Sequence, residues 1–196
     1  VTGTILMRIL AGPMCDTFGA RKTFIILLLI GIPGMIIFAT AQGGAAFMLG
    51  RIIIGLSLAT FVTCQVWCSQ FFDRSIVGAV NATAGGWGNL GGGITLLTMP
   101  FIMEIFLAMT GSDIGTSWRL CMIVPMVMHT AAAFFIYTGR DLPDGSYKQL
   151  EAAGAKQKSQ GAGNVAVLGF SNTNALIMLL TYGMCFGVEL TMNNVA

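Results

Sequence analysis

The sequence predicts an all-α membrane protein. Of its 196 residues, 55% are hydrophobic and only 9% are charged, and the apolar residues gather into stretches long enough to cross a bilayer. A soluble domain carries about 25% charged residues, and a spanning helix needs about 20 apolar residues to cross the roughly 30 Å hydrocarbon layer. Five cysteines without a Cys-x-x-Cys pair, and a single histidine, give no zinc pattern. No Ser/His/Asp constellation marks an enzyme, and nothing points to nucleic acid, a metal or a bound cofactor.

The elements follow in order. A truncated span occupies Val1 to Met14, followed by Phe24 to Ala41, Ala46 to Ser69, Val77 to Phe106, Trp118 to Tyr137 and Asn174 to Leu190. The chain opens at Val inside one span and stops at Ala196 just after another, so it reads as a fragment. Arg21, Lys22, Arg74, Arg140, Lys148, Lys156 and Lys158 all fall in connections on one side, whereas Gln42 to Ala45 and Met109 to Ser117 contain no Lys or Arg and Arg119 begins the next span. Basic loops stay in the cytoplasm, which orients the chain. The polar, Gly-containing stretch from Gly139 to Ser171 reads as a solvated linker with a short helix near Lys148 to Ala155. The expected division is therefore a helix bundle at 1–138, a cytoplasmic linker at 139–171 and the first helix of a second bundle at 172–196.

Within the fourth element, "NATAGGWGNLGGG" places helix-weakening residues where a helix must form, each interior Gly costing about 1 kcal/mol relative to Ala. At 100° per residue, Asn81, Gly85, Gly88, Gly92 and Thr95 form one stripe, and Asn89 is flanked by Gly85, Gly86, Gly92 and Gly93. Such stripes let helices pack closely in lipid; they also leave an Asn amide open to a small ligand. By residues alone, packing is the better account. Arg8, eight residues before Asp16, should sit near the membrane midplane, where an Arg costs about 2.5–3.5 kcal/mol and must face a cavity or a partner. Its planar fork suits a flat oxyanion; the competing reading is an ion pair, for which Glu189 is a candidate.

Two motifs carry a resemblance. "GPMCDTFGARKTF", with Gly12, Asp16, Gly19, Arg21 and Lys22, and "GRIIIG" at Gly50 to Gly55 resemble the second-to-third-helix loop and the fourth helix of the major facilitator superfamily. "VNATAGGWGNLGGG" resembles the nitrate signature of its nitrate/nitrite porter family, closest to eukaryotic high-affinity nitrate transporters, and "LATFVTCQVW", "MPFIMEI", "RDLPDG" and "YGMCFGVEL" extend the likeness.

The resemblance implies a partial bundle of about six of twelve helices, the second to the seventh, in the plasma membrane. It implies import of nitrate or nitrite by proton symport and alternating access, and in many plant members a small accessory membrane protein. It tips Arg8, Asn89, Gly85 and Gly88 toward substrate binding and adds Phe61, Tyr182 and Phe186 as aromatic walls. Asp16, Arg21, Arg51 and Asn81 take structural or gating roles. Glu189 and His129 are the titratable candidates for proton coupling. The alternatives are a nitrate/nitrite exchanger, which would need internal nitrite, and a nitrate-sensing receptor without flux.

Overall fold

The computed structural model describes residues 2–154, 167 and 169–195. These form nine helices and no strand: α1 (Thr2–Phe18), α2 (Ala20–Thr40), α3 (Gly44–Ser57), α4 (Thr60–Phe71), α5 (Val77–Met109), α6 (Ile114–Cys121), α7 (Ile123–Thr138), α8 (Tyr147–Ala152) and α9 (Thr173–Val195). Two compact units, Val1–Gln157 and Lys158–Ala196, divide the chain and are described separately. Ala20–Thr40, Gly44–Phe71, Val77–Met109 and Ile114–Thr138 are long and apolar enough to span a bilayer.

The first connection is tighter than the sequence suggests. Residues 12–24 are helical apart from Gly19, which alone turns the chain from α1 into α2. Its φ of +90° strains any side-chain-bearing residue, and a Cβ there would crowd the Tyr147 ring at 3.3 Å. Gly12 and Asp16 therefore lie on α1, and Arg21 and Lys22 on the first turn of α2.

Two expected single spans are broken. Between α3 and α4, the Ala59 N–H turns back to Leu56 O and the Ser57 hydroxyl donates to Ile54 O at 2.8 Å, so side-chain back-bonding replaces the regular ladder. Between α6 and α7, the break at Met122 precedes Pro125. A proline lacks the N–H that would bond the carbonyl four residues earlier, and it is tolerated in the first turn of a new helix.

In the first unit, α1 packs against α2, α3 and α4, and α2 also packs against α7. Met7, Ala11, Leu27 and Ala59 form its buried apolar core, with Met14, Leu56 and Val62 against them. Glycines set the helix spacing. A Cβ on Gly34 would meet Ile53 Cγ2 at 2.8 Å and Ile54 N at 2.9 Å, and one on Gly50 would meet Phe38 N at 2.9 Å. Gly31 lies between Ser57, 3.0 Å from its Cβ position, and the His129 ring at 3.3 Å. On α1, Gly3 faces the Ile52 backbone carbonyl of α3, where a Cβ would not fit, so the close-packed glycines lie on α1, α2 and α3, where backbones nearly touch.

Capping is sharpest at α6. Asp113 accepts from the backbone N–H groups of Gly115 at 3.0 Å and Thr116 at 3.3 Å. The Thr116 hydroxyl and these amides hold its carboxyl below the ordinary range.

Two outcomes test this account. Gly34→Ala forces methyl against backbone and should destabilise the fold by about 1–3 kcal/mol; Gly88→Ala, whose Cβ would meet nothing within 4 Å among the described residues, should not, as read by thermal unfolding in detergent. A carboxyl with a depressed folded pKa stabilises above its unfolded pKa and loses that contribution as pH falls through the folded value. The stability difference between wild type and Asp113→Asn should thus be constant above about pH 4 and change only below it.

Candidate functional site

Counted along their helices, three of the sequence-selected residues stand at similar distances from the basic end. Arg8 lies ten residues, about 15 Å, from the Phe18 end of α1. Phe61 lies ten residues, again about 15 Å, from the Phe71 end of α4. Asn89 lies twelve residues, about 18 Å, from the Val77 end of α5. All three distances are measured from the basic end of the bundle, and half of a 30 Å hydrocarbon layer is about 15 Å.

Arg8 is half-buried, with its Nε shielded from the surface. It follows Met7 and precedes Ala11 by one turn, and both are core residues. The side chain therefore leaves the packed seam of α1 rather than standing wholly in lipid. Arg51, by contrast, is exposed and stacks its guanidinium 5.5 Å from the Phe38 centroid and 5.3 Å from that of Phe47. Nearby, Arg119 donates to Ala41 O at 3.2 Å and lies over Trp118. These two arginines brace helix ends opposite the basic loops.

Phe61 and Gly85 are brought together: a Cβ on Gly85 would stand 3.8 Å from the Phe61 ring and 3.5 Å from Gln65 Nε2. These are ordinary contacts, so α4 does not require glycine there. No residue of α5 is buried. Nothing described lies within 4 Å of a Cβ at Gly86, Gly88, Gly91, Gly92 or Gly93. Among the described residues, the glycine run from Gly86 to Gly93 thus presents a bare helix face, and Asn89 is exposed.

Asn81 belongs to the α4–α5 contact. Its Nδ2 donates to Ser69 Oγ at 2.9 Å, and its backbone carbonyl accepts from Gln65 Nε2 at 3.2 Å. His129 Nδ1 faces Pro125 O at 2.9 Å, so that nitrogen carries the proton in this contact. In the second unit, Tyr182 and Phe186 stack with centroids 5.7 Å apart and planes 10° from parallel, as expected of an i, i+4 pair. The Glu189 side chain, Lys156, Lys158 and the linker segment 155–166 lie outside the described residues.

At the basic end, Arg21 finds its carboxylate 120 residues away rather than in its own motif. Its Nε pairs with Asp141 Oδ1, and its Nη1 donates to the carbonyls of Tyr137 at 2.7 Å and Gly139 at 2.9 Å. Trp67 Nε1 donates to Asp141 O at 2.9 Å, and the Tyr147 N–H lies 3.5 Å from Asp141 Oδ2. Asp141 thereby joins α2, α4 and α8, and Arg21 adds the end of α7 through Tyr137 O.

Sequence reasoning missed Gln65, Ser69 and Asp141. For the first two a signal existed: polar residues four apart, continuing the Phe61 stripe along α4. For Asp141 there was none, because the pairing is long-range.

Four apolar helices long enough to cross a bilayer, packed into a bundle with an ion-paired clasp at one end, define an integral multi-pass membrane protein. The chain belongs to the Major Facilitator Superfamily, a transporter family whose model matches residues 1–194. It is 39% identical along its full length to High affinity nitrate transporter 2.5 of Arabidopsis thaliana and 38% identical to High-affinity nitrate transporter 2.3 of Oryza sativa subsp. japonica, covering 39% and 38% of those proteins. Over 54% of the chain it is 36% identical to Nitrate/nitrite transporter NrtP of Picosynechococcus, covering 20% of that protein. The chain thus spans about two fifths of the length of the plant relatives it matches. No solved structure matches it.

Removing the Asp141 carboxylate strands Arg21 against two carbonyls at a shielded site. Asp141→Ala should destabilise the first unit by about 3–5 kcal/mol, measured as thermal unfolding of the purified full-length protein.

Proposed function

We propose that the chain is part of a nitrate importer of the plasma membrane. Residues 1–138 would supply the second to sixth helices of the first half, 139–171 the cytoplasmic linker, and 172–196 the helix that opens the second half. One observation carries the reading: Arg8 and Asn89 stand about 15 and 18 Å from the basic ends of α1 and α5, close to half a 30 Å hydrocarbon layer, and among the described residues nothing fills the space at the glycines beside Asn89 from Gly86 on. The similarity to proteins named as nitrate transporters supports nitrate as the anion.

The chemistry follows from Arg8. Its guanidinium stays charged and offers two parallel N–H donors to a planar anion. Nitrate accepts both, whereas chloride cannot match their spacing. Asn89 supplies an amide that orients the anion without adding charge, and absent side chains at Gly85 and Gly88 let the anion approach α5. Phe61 walls the site from α4. The family resemblance adds Tyr182 and Phe186, a stacked pair within the second unit, as aromatic substrate-binding candidates.

Import runs against a negative-inside potential at about 2.3 kcal/mol per charge per 100 mV. Cotransport of more than one proton reverses that cost, which is why symport with alternating access between two rocking halves is the proposed mode. Of the two coupling candidates, His129 commits Nδ1 to its own helix, leaving Nε2 to exchange a proton; Glu189 is the carboxylate candidate. Asp16, Arg21, Arg51 and Asn81 serve the frame and its gates. Partners are nitrate or nitrite, protons, surrounding lipid and a small accessory membrane protein.

Arg8→Lys keeps the charge and removes the fork. Labelled-nitrate uptake by the full-length protein, corrected for surface expression, should fall by about tenfold or more, the effect of losing one charge-assisted hydrogen bond. Unchanged uptake removes Arg8 as the anion ligand.

A further inference from the structure

Two apolar helices are stitched by a closed circuit of hydrogen bonds. Gln65 Nε2 donates to Asn81 O at 3.2 Å, Asn81 Nδ2 donates to Ser69 Oγ at 2.9 Å, and Ser69 Oγ donates to Gln65 O at 2.7 Å. The directions are fixed by chemistry. Both backbone carbonyls can only accept, so the Gln65 amide must present nitrogen to one and the Ser69 hydroxyl its proton to the other. The Ser69 oxygen is then left to accept from Asn81. Every donor of the circuit is answered, as a polar group among apolar helices should be, while the buried Asn81 Oδ1 takes no hydrogen bond within it.

The circuit ends where the bare face begins. On α4, Phe61, Gln65 and Ser69 recur every four residues and form one stripe toward α5. Ser69 meets Asn81, Gln65 meets Asn81 and Gly85, and Phe61 meets Gly85. One residue further along α5, at Gly86, and again at Gly88 and Gly91 to Gly93, a Cβ would meet no described atom within 4 Å. Gln65 is thus the last hydrogen-bonded tie before α4 gives α5 no further polar support. It lies one turn from the Phe61 ring and 3.5 Å from the Cβ position of Gly85. Shifting this amide changes both the height of the ring and the register of the glycine run.

We propose that Gln65 is a positioning residue of the anion site: without touching the anion, it fixes the register between the Phe61 wall on α4 and the Gly85–Asn89 face on α5. This rests on the reading of that face as the anion site. Gln65 sets the binding geometry more strongly than Ser69, which closes the same circuit a full turn farther from Gly85.

The test uses full-length protein in cells, with surface expression measured for each variant. Gln65→Met keeps the length of the side chain but has no N–H, and it should raise the KM for labelled nitrate by about fivefold while leaving the maximal rate within about twofold, the effect of one ordinary hydrogen bond. Ser69→Ala opens the same circuit and should leave KM within about twofold. If Gln65→Met fails to reach the membrane, Gln65→Asn, an amide one methylene short, serves instead and should raise KM by a smaller factor. An unchanged KM in the glutamine variant that reaches the membrane overturns the assignment. So do equal KM shifts in the glutamine and serine variants, which would mark a helix contact without a positioning role. Arg8→Lys run in parallel separates the two failures. If it transports like wild type, the anion site is wrong; if it is impaired while Gln65→Met keeps its KM, only the role of Gln65 is wrong.

Discussion

A permanent charge near the middle of a bilayer has to be answered, and Arg8 is that charge. Its cost of about 2.5–3.5 kcal/mol is tolerable only when the guanidinium turns from the acyl chains toward protein or a water-filled space. The fold meets this requirement by rooting the side chain beside its buried apolar core, between Met7 and Ala11. Because α1 is packed there against α2, α3 and α4, the arginine is held at a defined depth. The proposed anion site is built around that height.

Glycine serves two opposite purposes in this chain. On α2 and α3 it removes side chains so that backbones can meet, as at Gly34 against Ile54 and Gly50 against Phe38. On α5, beyond Gly85, it removes them and no described neighbour takes the space. Packing is the ordinary explanation for small-residue stripes in membrane helices, and here it fits the first set well. For the second set, the loss of helix propensity across Gly86 to Gly93 is offset by no close contact among the described residues. Access for a small planar ligand is the use that the proposed function assigns to that face.

Much of the architecture was legible because lipid makes composition informative: apolar runs of 20 residues have few fates other than spanning helices. The short helix after Gly139 and the i, i+4 stacking of Tyr182 on Phe186 were also readable from local spacing. What was illegible depended on tertiary position. The expected basic loop collapsed to Gly19 because one residue at positive φ suffices to reverse the chain. Arg21 paired with Asp141, an acid whose proximity no local pattern encodes. The break at Ala59 arose from side-chain back-bonding, although the one at Met122 could have been inferred from Pro125. In the candidate site the arginine, the glycines and the rings stood out by residue type, whereas Gln65 acquires meaning only once α5 lies beside it.

The most direct test of the central claim is a structure of the full-length protein with nitrate bound. The account predicts the anion's density within hydrogen-bond distance of the Arg8 guanidinium, against the α5 face that carries Gly85 and Asn89. A structure in which Arg8 is ion-paired to a carboxylate, and another helix fills the glycine face with no anion between them, would contradict it.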